Sequence, residues 1–390
     1  MDEDPSMPRD VTLVRDAPGM AAARSASCTV RTSLHLLGSG RPPCGIGDFS
    51  GLLLATLRET EPEAHTALRI EPRTLPLARL WRALGAADAL VANVPVVAWK
   101  RALFGPVAAY LFAALRGRRR VTILHEWRGL HPLRRAVLAP VLILSDTIVF
   151  VSPAVRAELA ADPCLGFLAG RGTLMPLPPN LPRPDAVAAS ALRERLRAAR
   201  GEGRLVLGHF GSIYPGKQPE ALLDIAAALK AGGARPLLAF FGSFIKASDG
   251  IEAVFWDKVA ALDLADEVVV SGYVDAPAEL FGLFEAVDAF AYVLPEGLTA
   301  RRASVLACVQ AGRPVIVTAP ARADEFDHHP RFRALVESGA ITFAPRGAPA
   351  ETYAGMIREA RDRPTVRPDL DMAVWFRDAA AALRASLRAS

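Results

Sequence analysis

The sequence predicts an α/β protein built from two doubly wound domains in tandem, each a parallel sheet covered by helices. Short β-branched and apolar runs alternate with stretches of helical spacing along most of the chain, as in parallel sheets with helical crossovers. A dense proline cluster interrupts this alternation near the middle, after which it restarts. At 390 residues the chain is also longer than one hydrophobic core usually supports.

The first half contains six candidate strands separated by five candidate helices. The strands are predicted at Cys28 to Leu34, Ala67 to Ile70, Ala89 to Val94, Val121 to Leu124, Thr147 to Val151 and Gly172 to Met175. The helices are predicted at Phe49 to Arg58, Leu75 to Leu84, Val97 to Leu115, Leu133 to Leu142 and Pro153 to Ala161. This alternation predicts an N-terminal Rossmann-like domain over residues 1–182.

Five prolines between Pro176 and Pro184 can continue neither a sheet nor a helix, so the domain boundary is placed there. The charged segment 183–203 is the predicted linker, and a second Rossmann-like domain follows over 204–365. Its strands are expected to begin at Leu205, Pro236, Val268, Ala289, Pro314 and Ile341. The last segment, 366–390, has helical spacing and a Trp375-Phe376 anchor that would let it pack back on the N-terminal domain.

Composition places the protein among ordinary globular chains, with 51% apolar residues, 22% charged residues and a net charge of +5. Four scattered cysteines fit a reducing compartment, and the acidic first ten residues do not resemble a signal peptide. A cytoplasmic location is therefore expected. The longest apolar run, Ala136 to Val151, is broken by Pro140 and is too short to span a bilayer.

Positive charge is concentrated between Trp99 and Arg135, where nine Lys and Arg residues stand against one acid, Glu126. Aromatic residues such as Phe104 and Phe112 lie among them. One interpretation is a peripheral contact with an anionic membrane through 99–135, on the inner membrane face. The other is a set of solvated helix ends whose apolar sides pack inward. No nucleic-acid recognition motif accompanies the charge, so no nucleic-acid partner is expected.

Two strand-loop-helix corners carry the residues best suited to chemistry. The strand from Leu205 runs into Gly211-Ser212-Ile213-Tyr214-Pro215-Gly216-Lys217 before a helix. The strand from Ala289 runs into a turn with Glu296, Gly297 and Thr299, followed by a helix expected to carry Arg301, Arg302 and Ser304. Backbone N–H groups and helix dipoles at such corners favour anions, so the pair predicts a phosphate or diphosphate ligand.

Together these corners resemble the donor-binding corner and signature loop of GT-B glycosyltransferases, particularly glycosyltransferase family four. The ending Ala311-Gly312-Arg313-Pro314-Val315 is the most recognisable part. Pro179-Asn180 and Gly45-Ile46-Gly47-Asp48 are also similar to their counterparts, so the resemblance covers most of Cys28 to Ile316.

Two departures from the family pattern concern the donor site. Ser212 stands where the family commonly has an arginine. The second of two glutamates spaced eight positions apart is absent: alignment on Pro314 puts Thr299 and Ala307 at these positions, and alignment on Glu296 puts Ser304 at the second.

The resemblance implies a retaining hexosyltransferase-like enzyme that uses a nucleotide diphosphate sugar and a sugar or lipid-linked sugar acceptor. It would act in polysaccharide, glycolipid or other glycoconjugate synthesis, without a cofactor or a metal. The implied catalytic residues are His125, Glu126 and Lys217, and the implied acceptor-binding residues are Gly45, Gly47 and Asp48. The implied donor-binding residues are Gly211, Ser212, Lys217, Glu296, Thr299, Arg301, Arg302 and Ser304.

Each of these residues also has a structural interpretation. His125 would be a buried, hydrogen-bonded histidine, Asp48 and Thr299 would be helix N-caps, and Ser304 would face a neighbouring helix. Lys217, Arg301 and Arg302 would be solvated. Two clusters with metal-like spacing, Asp369-Leu370-Asp371 and Asp324 to His329, are expected not to bind a metal.

Two other functions remain open at this stage. One is another GT-B enzyme, such as a nucleotide-sugar epimerase or a sugar-phosphate synthase. The other is a catalytically silent GT-B scaffold that binds a partner, which the missing glutamate and Ser212 would fit. Hydrolase, zinc-protease and P-loop ATPase functions lack their motifs in the sequence.

Overall fold

The computed structural model describes residues 31–38, 44–71, 76–99, 104–245, 250–362 and 370–388. Within these ranges, strands and helices alternate as predicted. The strands are β1 (Ser33–Leu37), β2 (His65–Arg69), β3 (Ala89–Val94), β4 (Arg119–Leu124), β5 (Thr147–Phe150), β6 (Gly172–Leu174), β7 (Leu205–Phe210), β8 (Pro236–Phe241), β9 (Val268–Val270), β10 (Ala289–Tyr292), β11 (Val315–Thr318) and β12 (Ile341–Ala344).

The α-helices connect these strands and close the chain. They are α1 (Gly45–Thr60), α2 (Leu77–Gly85), α3 (Phe104–Leu115), α4 (Pro132–Leu144), α5 (Pro153–Ala160), α6 (Ala191–Gly201), α7 (Pro219–Ala231), α8 (Ile251–Ala261), α9 (Pro277–Glu285), α10 (Ala303–Gln310), α11 (Pro330–Glu337), α12 (Ala350–Arg361) and α13 (Met372–Arg388). Short 3-10 turns lie at Val97–Trp99, Gly166–Arg171 and Pro215–Lys217.

The first sheet has six parallel strands in the order β2-β1-β3-β4-β5-β6. All six residues of β3 are buried, because helices cover both faces of the sheet. The strand order reverses between β1 and β3, where neighbouring crossovers leave the sheet on opposite faces. A crevice for ligands forms at such a point.

The second sheet also has six parallel strands, in the order β12-β11-β10-β7-β8-β9. Its order reverses between β7 and β10. The two strands pair through Ala289 with Leu207 and Phe290 with Gly208. The loops that follow β7 and β10 therefore lie side by side at the carboxyl edge of the sheet.

The last helix, α13, shares the core of the first sheet although the chain reaches it after the second. Phe376, Leu383 and Leu387 are buried in the apolar cluster of β1, β3, β4 and α1. Trp375, one residue before Phe376, is buried in a cluster of the second sheet. Side chains of one helix thus belong to the cores of both sheets.

The predicted doubly wound α/β architecture is confirmed, with differences at element ends. Arg31 and Thr32 fall inside the first predicted strand, but β1 begins at Ser33 because their N–H groups donate to Asp88 Oδ2 at 3.0 Å. Cys28 lies outside the described residues. The helix predicted from Val97 is a 3-10 turn there, and α3 begins only at Phe104.

None of the helices in the described part of the chain has the length and apolarity needed to cross a membrane.

Candidate functional site

The predicted donor residues lie where the strand order of the second sheet reverses. One group follows β7 and the other follows β10, so parallel pairing of these strands brings the two loops together. On the first sheet, the N-terminus of α1 follows β1, and His125 follows β4 directly. Both sets of loops are at the carboxyl edges of their sheets, where open α/β folds bind ligands.

The loop after β7 turns at Gly211, which has a φ of +122°. A Cβ on this residue would overlap the ammonium of Lys217, so glycine lets the lysine lie against the backbone. The N–H of Gly211 donates to Phe241 O at 3.0 Å. That N–H is therefore committed to the sheet, whereas the Lys217 ammonium has no carboxylate partner among the described residues. Ser212 is exposed beside it.

Lys217 is a buried cation, with only 8% of the residue exposed. The solvated interpretation of this lysine is therefore wrong. Burial, with a smaller contribution from the nearby Arg302 charge, lowers the pKa of Lys217 to about 8. The Tyr214 ring centre lies 5.9 Å from Nζ. A buried ammonium without an ion pair is costly, and an anion beside it would offset that cost.

The loop after β10 places its two arginines before the helix. The helix α10 begins at Ala303 with Arg302 as its N-cap, so the predicted position of Arg301 and Arg302 within the first helical turn is wrong. Thr299 is not an N-cap either, because its carbonyl accepts the Arg302 N–H at 3.1 Å in a preceding turn. This extra turn, held by Leu298 N–H on Thr318 O at 3.0 Å, delays the helix.

Glu296 is the anionic partner of both arginines. Its carboxylate bonds directly to the Arg302 guanidinium and lies 3.9 Å from Arg301. Arg301 also lies 3.8 Å from Glu158 of α5. Both arginine side chains are 17% exposed and so are not freely solvated. Glu296 therefore holds the guanidinium groups of both arginines in place.

Ser304 and Thr299 occupy different surroundings. Ser304 lies near the Tyr292 hydroxyl, which contacts Cys308 Sγ at 3.2 Å and donates to Phe210 O at 3.0 Å. Thr299 Oγ1 is buried and has no hydrogen-bond partner among the described residues. An unpaired buried hydroxyl can still accept or donate a bond to a ligand.

On the first sheet, Gly45 begins α1 and Cys44 is its N-cap. The N-cap interpretation of Asp48 is therefore wrong: its N–H donates to Cys44 O at 3.0 Å, inside the first turn. Gly45 lies against Asn180, whose Nδ2 donates to Gly45 O at 3.4 Å. Gly47 and Asp48 instead line a neighbouring cavity of about 430 Å³ with Arg69 and Val96.

His125 is buried and hydrogen-bonded, yet it also lines the cleft. Its Nε2 lies 2.9 Å from Asn93 Oδ1, and the Phe49 ring packs edge-on with a centroid distance of 5.1 Å. Burial lowers the pKa of His125 to about 3, so the imidazole is neutral at physiological pH. With Asn93 Oδ1 as acceptor, Nε2 carries the proton, and that nitrogen is not available as a base.

A cleft of about 370 Å³ lies between the carboxyl edges of the two sheets. The structure brings Gly45, His125, Glu126, Arg301 and Arg302 together around it. The remaining lining residues are Cys44, Ile46, Phe49, Leu177, Pro178, Asn180, Tyr214 and Ala303. Glu296 and Thr299 line an adjacent cavity of about 520 Å³, on the other side of the loop after β10.

Glu325 is a site-supporting residue that sequence reasoning missed. It is 1% exposed, and its two carboxylate oxygens accept the N–H of Ala300 at 2.9 Å and of Ala154 at 3.1 Å. Ala300 precedes the arginines, and Ala154 lies in the first turn of α5. Burial raises the pKa of Glu325, although the two N–H bonds act in the opposite direction. Glu325 is thus buried within a cluster whose other acids, Asp324 and Asp327, are exposed.

The structure disperses the metal-like cluster around Glu325. Asp324 pairs with Arg322 at 2.8 Å, and His329 Nε2 bonds the Leu177 carbonyl at 3.0 Å. No three His, Cys, Asp or Glu side chains in the described ranges are arranged to hold a metal ion. Asp369 of the other pattern lies outside the described residues.

Tyr214 and Asn180 belong to the sequence motifs, although neither is among the predicted site residues. Tyr214 lines the cleft near Arg302, and Asn180 lines it beside Gly45. The sequence could have indicated both residues, because Tyr214 lies in the loop after β7 and Asn180 lies just before the predicted linker. The buried partners of His125 carry no such signal, because Asn93 lies 32 residues upstream on another strand.

Comparison with solved structures decides the fold. HepE of Anabaena, in complex with UDP and glucose, matches over 91% of this chain and 95% of its own, with 16% identity and a TM-score of 0.56. The chain has the GT-B fold. WaaG, a glycosyltransferase involved in lipopolysaccharide biosynthesis, matches over 90% of this chain and 94% of its own, with 15% identity and a TM-score of 0.52. A glycosyltransferase from Rickettsia africae matches over 92% and 93%, with 12% identity and a TM-score of 0.51.

No protein-family model matches the sequence, and a comparison with curated protein sequences finds no relative.

Proposed function

We propose that this protein is a glycosyltransferase that moves a sugar from a nucleotide diphosphate sugar to an acceptor hydroxyl. The observation that supports this most directly is the buried Lys217, near Arg302 at the reversal point of the second sheet, whose ammonium has no carboxylate partner among the described residues. A diphosphate is the ligand chemistry that such a set of cations and neighbouring loops fits best. Solved HepE complexes contain UDP-glucose, so uridine nucleotides are the first to test here.

In this proposal the cations act on charge that develops during the reaction. Breaking the bond between sugar and diphosphate leaves negative charge on the leaving group. Lys217, Arg301 and Arg302 would stabilise that charge more in the transition state than in the bound donor, which is the requirement for catalysis. We propose retention of anomeric configuration, with the leaving diphosphate taking the acceptor proton.

We propose that no metal ion is needed for this chemistry. The three cations at the loops after β7 and β10 would supply the charge that magnesium supplies in many phosphate-transferring enzymes. Glu296 orients two of them by pairing with Arg302 and lying close to Arg301.

The acceptor would enter from the first sheet. Gly45, His125 and Glu126 line the cleft there, and Gly47 and Asp48 line the adjoining cavity. His125 would act as a neutral hydrogen-bonding group, since burial lowers its pKa to about 3. Glu126 follows His125 directly in the sequence and also lines the cleft. Its carboxylate is the candidate to orient the acceptor hydroxyl.

We further propose that the acceptor is lipid-linked and that the protein acts in polysaccharide or glycolipid synthesis at the inner membrane face. The basic sequence between Trp99 and Arg135 motivates this part of the proposal. Lys100 and Arg101 lie outside the described residues.

The test is release of nucleoside diphosphate from a panel of nucleotide sugars, measured with and without magnesium. Arg301→Gln and Arg302→Gln should each lower the rate by about a hundredfold, the usual cost of losing one transition-state donor. Arg197→Gln is the matched control, because that exposed arginine pairs with Glu194 on α6, lines neither cavity and should leave the rate unchanged. Loss of activity in the control as well, or unchanged rates in both cleft variants, would contradict the proposal. A protein that binds a diphosphate but cleaves no donor would instead be a silent scaffold.

A further inference from the structure

We propose that the outward surface of α2, α3 and α4 docks the protein on an anionic lipid bilayer. These three helices pack in sequence on one side of the first sheet, with α3 between α2 and α4. Trp81 of α2 meets Phe112 of α3 edge-on at a centroid distance of 6.0 Å. We call this surface the docking face.

The docking face exposes apolar stripes on all three helices. Leu77 and Trp81 on α2 are 53% and 48% exposed, and Phe104, Leu111 and Leu115 on α3 are 71%, 48% and 79% exposed. On α4 the exposed residues are Leu133, Val137 and Ile143. The spacings of four and seven residues within α2 and α3 put each stripe on one side of its helix. Exposed apolar area of this extent marks an interaction surface.

The charge of the docking face has one sign. The sequences of α2, α3 and α4 contain no Asp or Glu. Arg79 and Arg82 are exposed on α2, and neither makes an ion pair within the part of the chain described. Arg116 lies over the Trp81 ring at 3.6 Å from its centre. Apolar stripes flanked by unpaired arginines complement a bilayer that carries anionic headgroups, because the headgroups pair with the cations and the lipid tails accept the apolar side chains.

The direction of the helices links this face to the cleft. A crossover helix begins near the carboxyl edge of a parallel sheet and runs back to the other edge. Leu77, Phe104 and Leu133 are at or next to the first residues of their helices and are more than half exposed. The apolar stripes therefore begin at the side of the sheet where the cleft opens, and α4 starts six residues after Glu126. Docking would hold the acceptor side of the cleft close to the bilayer surface.

The docking face overlaps the basic segment 99–135 only in part. Arg118, Arg120 and Arg135 belong to that segment but approach acids: Asp88 at 3.9 Å, Asp146 at 2.5 Å and Asp162 at 3.9 Å. They are therefore poor candidates for lipid contact. Arg79, Arg82, Leu77 and Trp81 precede the segment and carry the contact with Leu111 and Leu115.

The experiment is co-sedimentation of the full chain with vesicles of two compositions: phosphatidylcholine alone, and equal parts phosphatidylcholine and phosphatidylglycerol. Wild-type protein should bind the anionic vesicles at low salt and release as salt is raised. The double variant Arg79→Gln and Arg82→Gln should lower the partition coefficient about thirtyfold, since each basic group near such a surface contributes a factor of about five. Leu111→Gln with Leu115→Gln should lower it tenfold or more through loss of apolar insertion.

The controls change the same residue types elsewhere. Arg195→Gln with Arg197→Gln on α6 removes the same charge from the second half of the chain, and Val254→Gln on α8 removes an exposed apolar residue there. Both should bind vesicles like wild type. Equal losses in control and face variants would show that net charge alone drives binding and would overturn the proposal.

Two further outcomes would also overturn it. No vesicle binding at low salt would do so directly. A dimer in sedimentation velocity that dissociates in the Leu111→Gln, Leu115→Gln protein and has no vesicle affinity would assign the face to a second copy. Thermal unfolding of the same variants with nucleoside diphosphates measures the cleft separately, so failure of the docking proposal and failure of the transferase proposal are distinguishable.

Discussion

Lys217 is a residue at which stability and the proposed function conflict. Its ammonium is buried against Gly211, near Arg302, with no carboxylate partner among the described residues. Such an arrangement destabilises the empty protein and becomes favourable only when an anion arrives. The stability of the rest of the fold offsets this cost, as is common at functional sites.

Replacing the lysine by an apolar residue of similar length should therefore stabilise the protein without ligand. Lys217→Met should raise the free energy of unfolding at pH 7 by roughly 2–4 kcal/mol, because the pKa of Lys217 is lowered from 10.5 to about 8. The native charged form is the disfavoured one, so wild type gains stability as pH rises from about 8 toward the unfolded value, and the difference between the two proteins narrows. Urea unfolding from pH 7 to pH 10 measures this. Lys258→Met, at a partly exposed lysine paired with Asp224, is the control and should not stabilise. A less stable Lys217→Met protein would contradict the account.

Glu325 should connect the arginine loop to α5 through its two oxygens. Glu325→Ala leaves the buried N–H groups of Ala300 and Ala154 unpaired and should cost about 2–3 kcal/mol of stability. Glu325→Gln keeps one acceptor and should cost about half as much.

Burial raises the pKa of this carboxyl, so its ionised form is disfavoured in the native state. Wild-type stability should fall as pH rises from the unfolded pKa through the raised native pKa, and the Gln variant should lack that change. Urea unfolding between pH 4 and pH 8 would show it, and identical pH profiles for the two proteins would count against this role.

The loop between β10 and α10 is the element on which the arginine positions depend. It turns at Gly297, which has a φ of +76°, and a Cβ there would overlap the carbonyl oxygen of Ala319. Any other residue would be strained at this φ and would overlap the Ala319 carbonyl, so the loop would have to move. Glu296, Thr299, Arg301 and Arg302 follow or flank this turn and would move with it.

Gly297→Ala should accordingly cost about 1–3 kcal/mol of stability and lower donor turnover at least tenfold. Gly355→Ala in α12 is the matched control. A Cβ at Gly355 meets nothing within 4 Å, and its helical position should gain about 0.5–1 kcal/mol from alanine. Thermal unfolding and donor cleavage on both variants compare them. Full activity in Gly297→Ala would show that the loop geometry is not required.

Element types could be predicted from sequence because buried parallel strands read as apolar runs, as for β3, which was placed from Ala89 to Val94 and lies there. The first and last residues of the elements could not be predicted in this way. The start of α10 depends on hydrogen bonds from Leu298 and Arg302 to carbonyls fixed by the tertiary fold. The start of β1 depends on Asp88, more than fifty residues away.

At the scale of the whole molecule, α13 ties the end of the chain to the first sheet. Leu383 is fully buried there, and Arg384 lies 3.4 Å from Glu61 at the end of α1. Leu383→Ala should cost about 2–5 kcal/mol, the usual range for a large-to-small change in a core. Arg377→Ala on the exposed side of the same helix should cost little. Chemical denaturation gives both values, and equal costs would show that α13 does not contribute through its core contacts.

Part of the candidate site was predictable because it lies at the ends of strands that the sequence indicates. Corners at the carboxyl ends of strands are visible in sequence, and Lys217, Arg301 and Arg302 were singled out from them. The residues that hold these groups were not visible. Glu325, Asn93 and Glu158 reach the site from distant elements, and the docking face appears only when α2, α3 and α4 are placed side by side.

Thermal unfolding with nucleoside diphosphates tests the central claim most directly, because it needs no knowledge of the acceptor. Wild type and Lys217→Met are compared against the diphosphates UDP, GDP, ADP and TDP and against the monophosphate CMP, with and without magnesium. A ligand at a hundred times its dissociation constant stabilises by about 2.7 kcal/mol, which is a shift of several degrees. The account predicts a magnesium-independent shift with one diphosphate in wild type and little or none in Lys217→Met, whose melting temperature without ligand is higher. No shift with any nucleotide, or equal shifts in both proteins, would contradict a diphosphate site at Lys217.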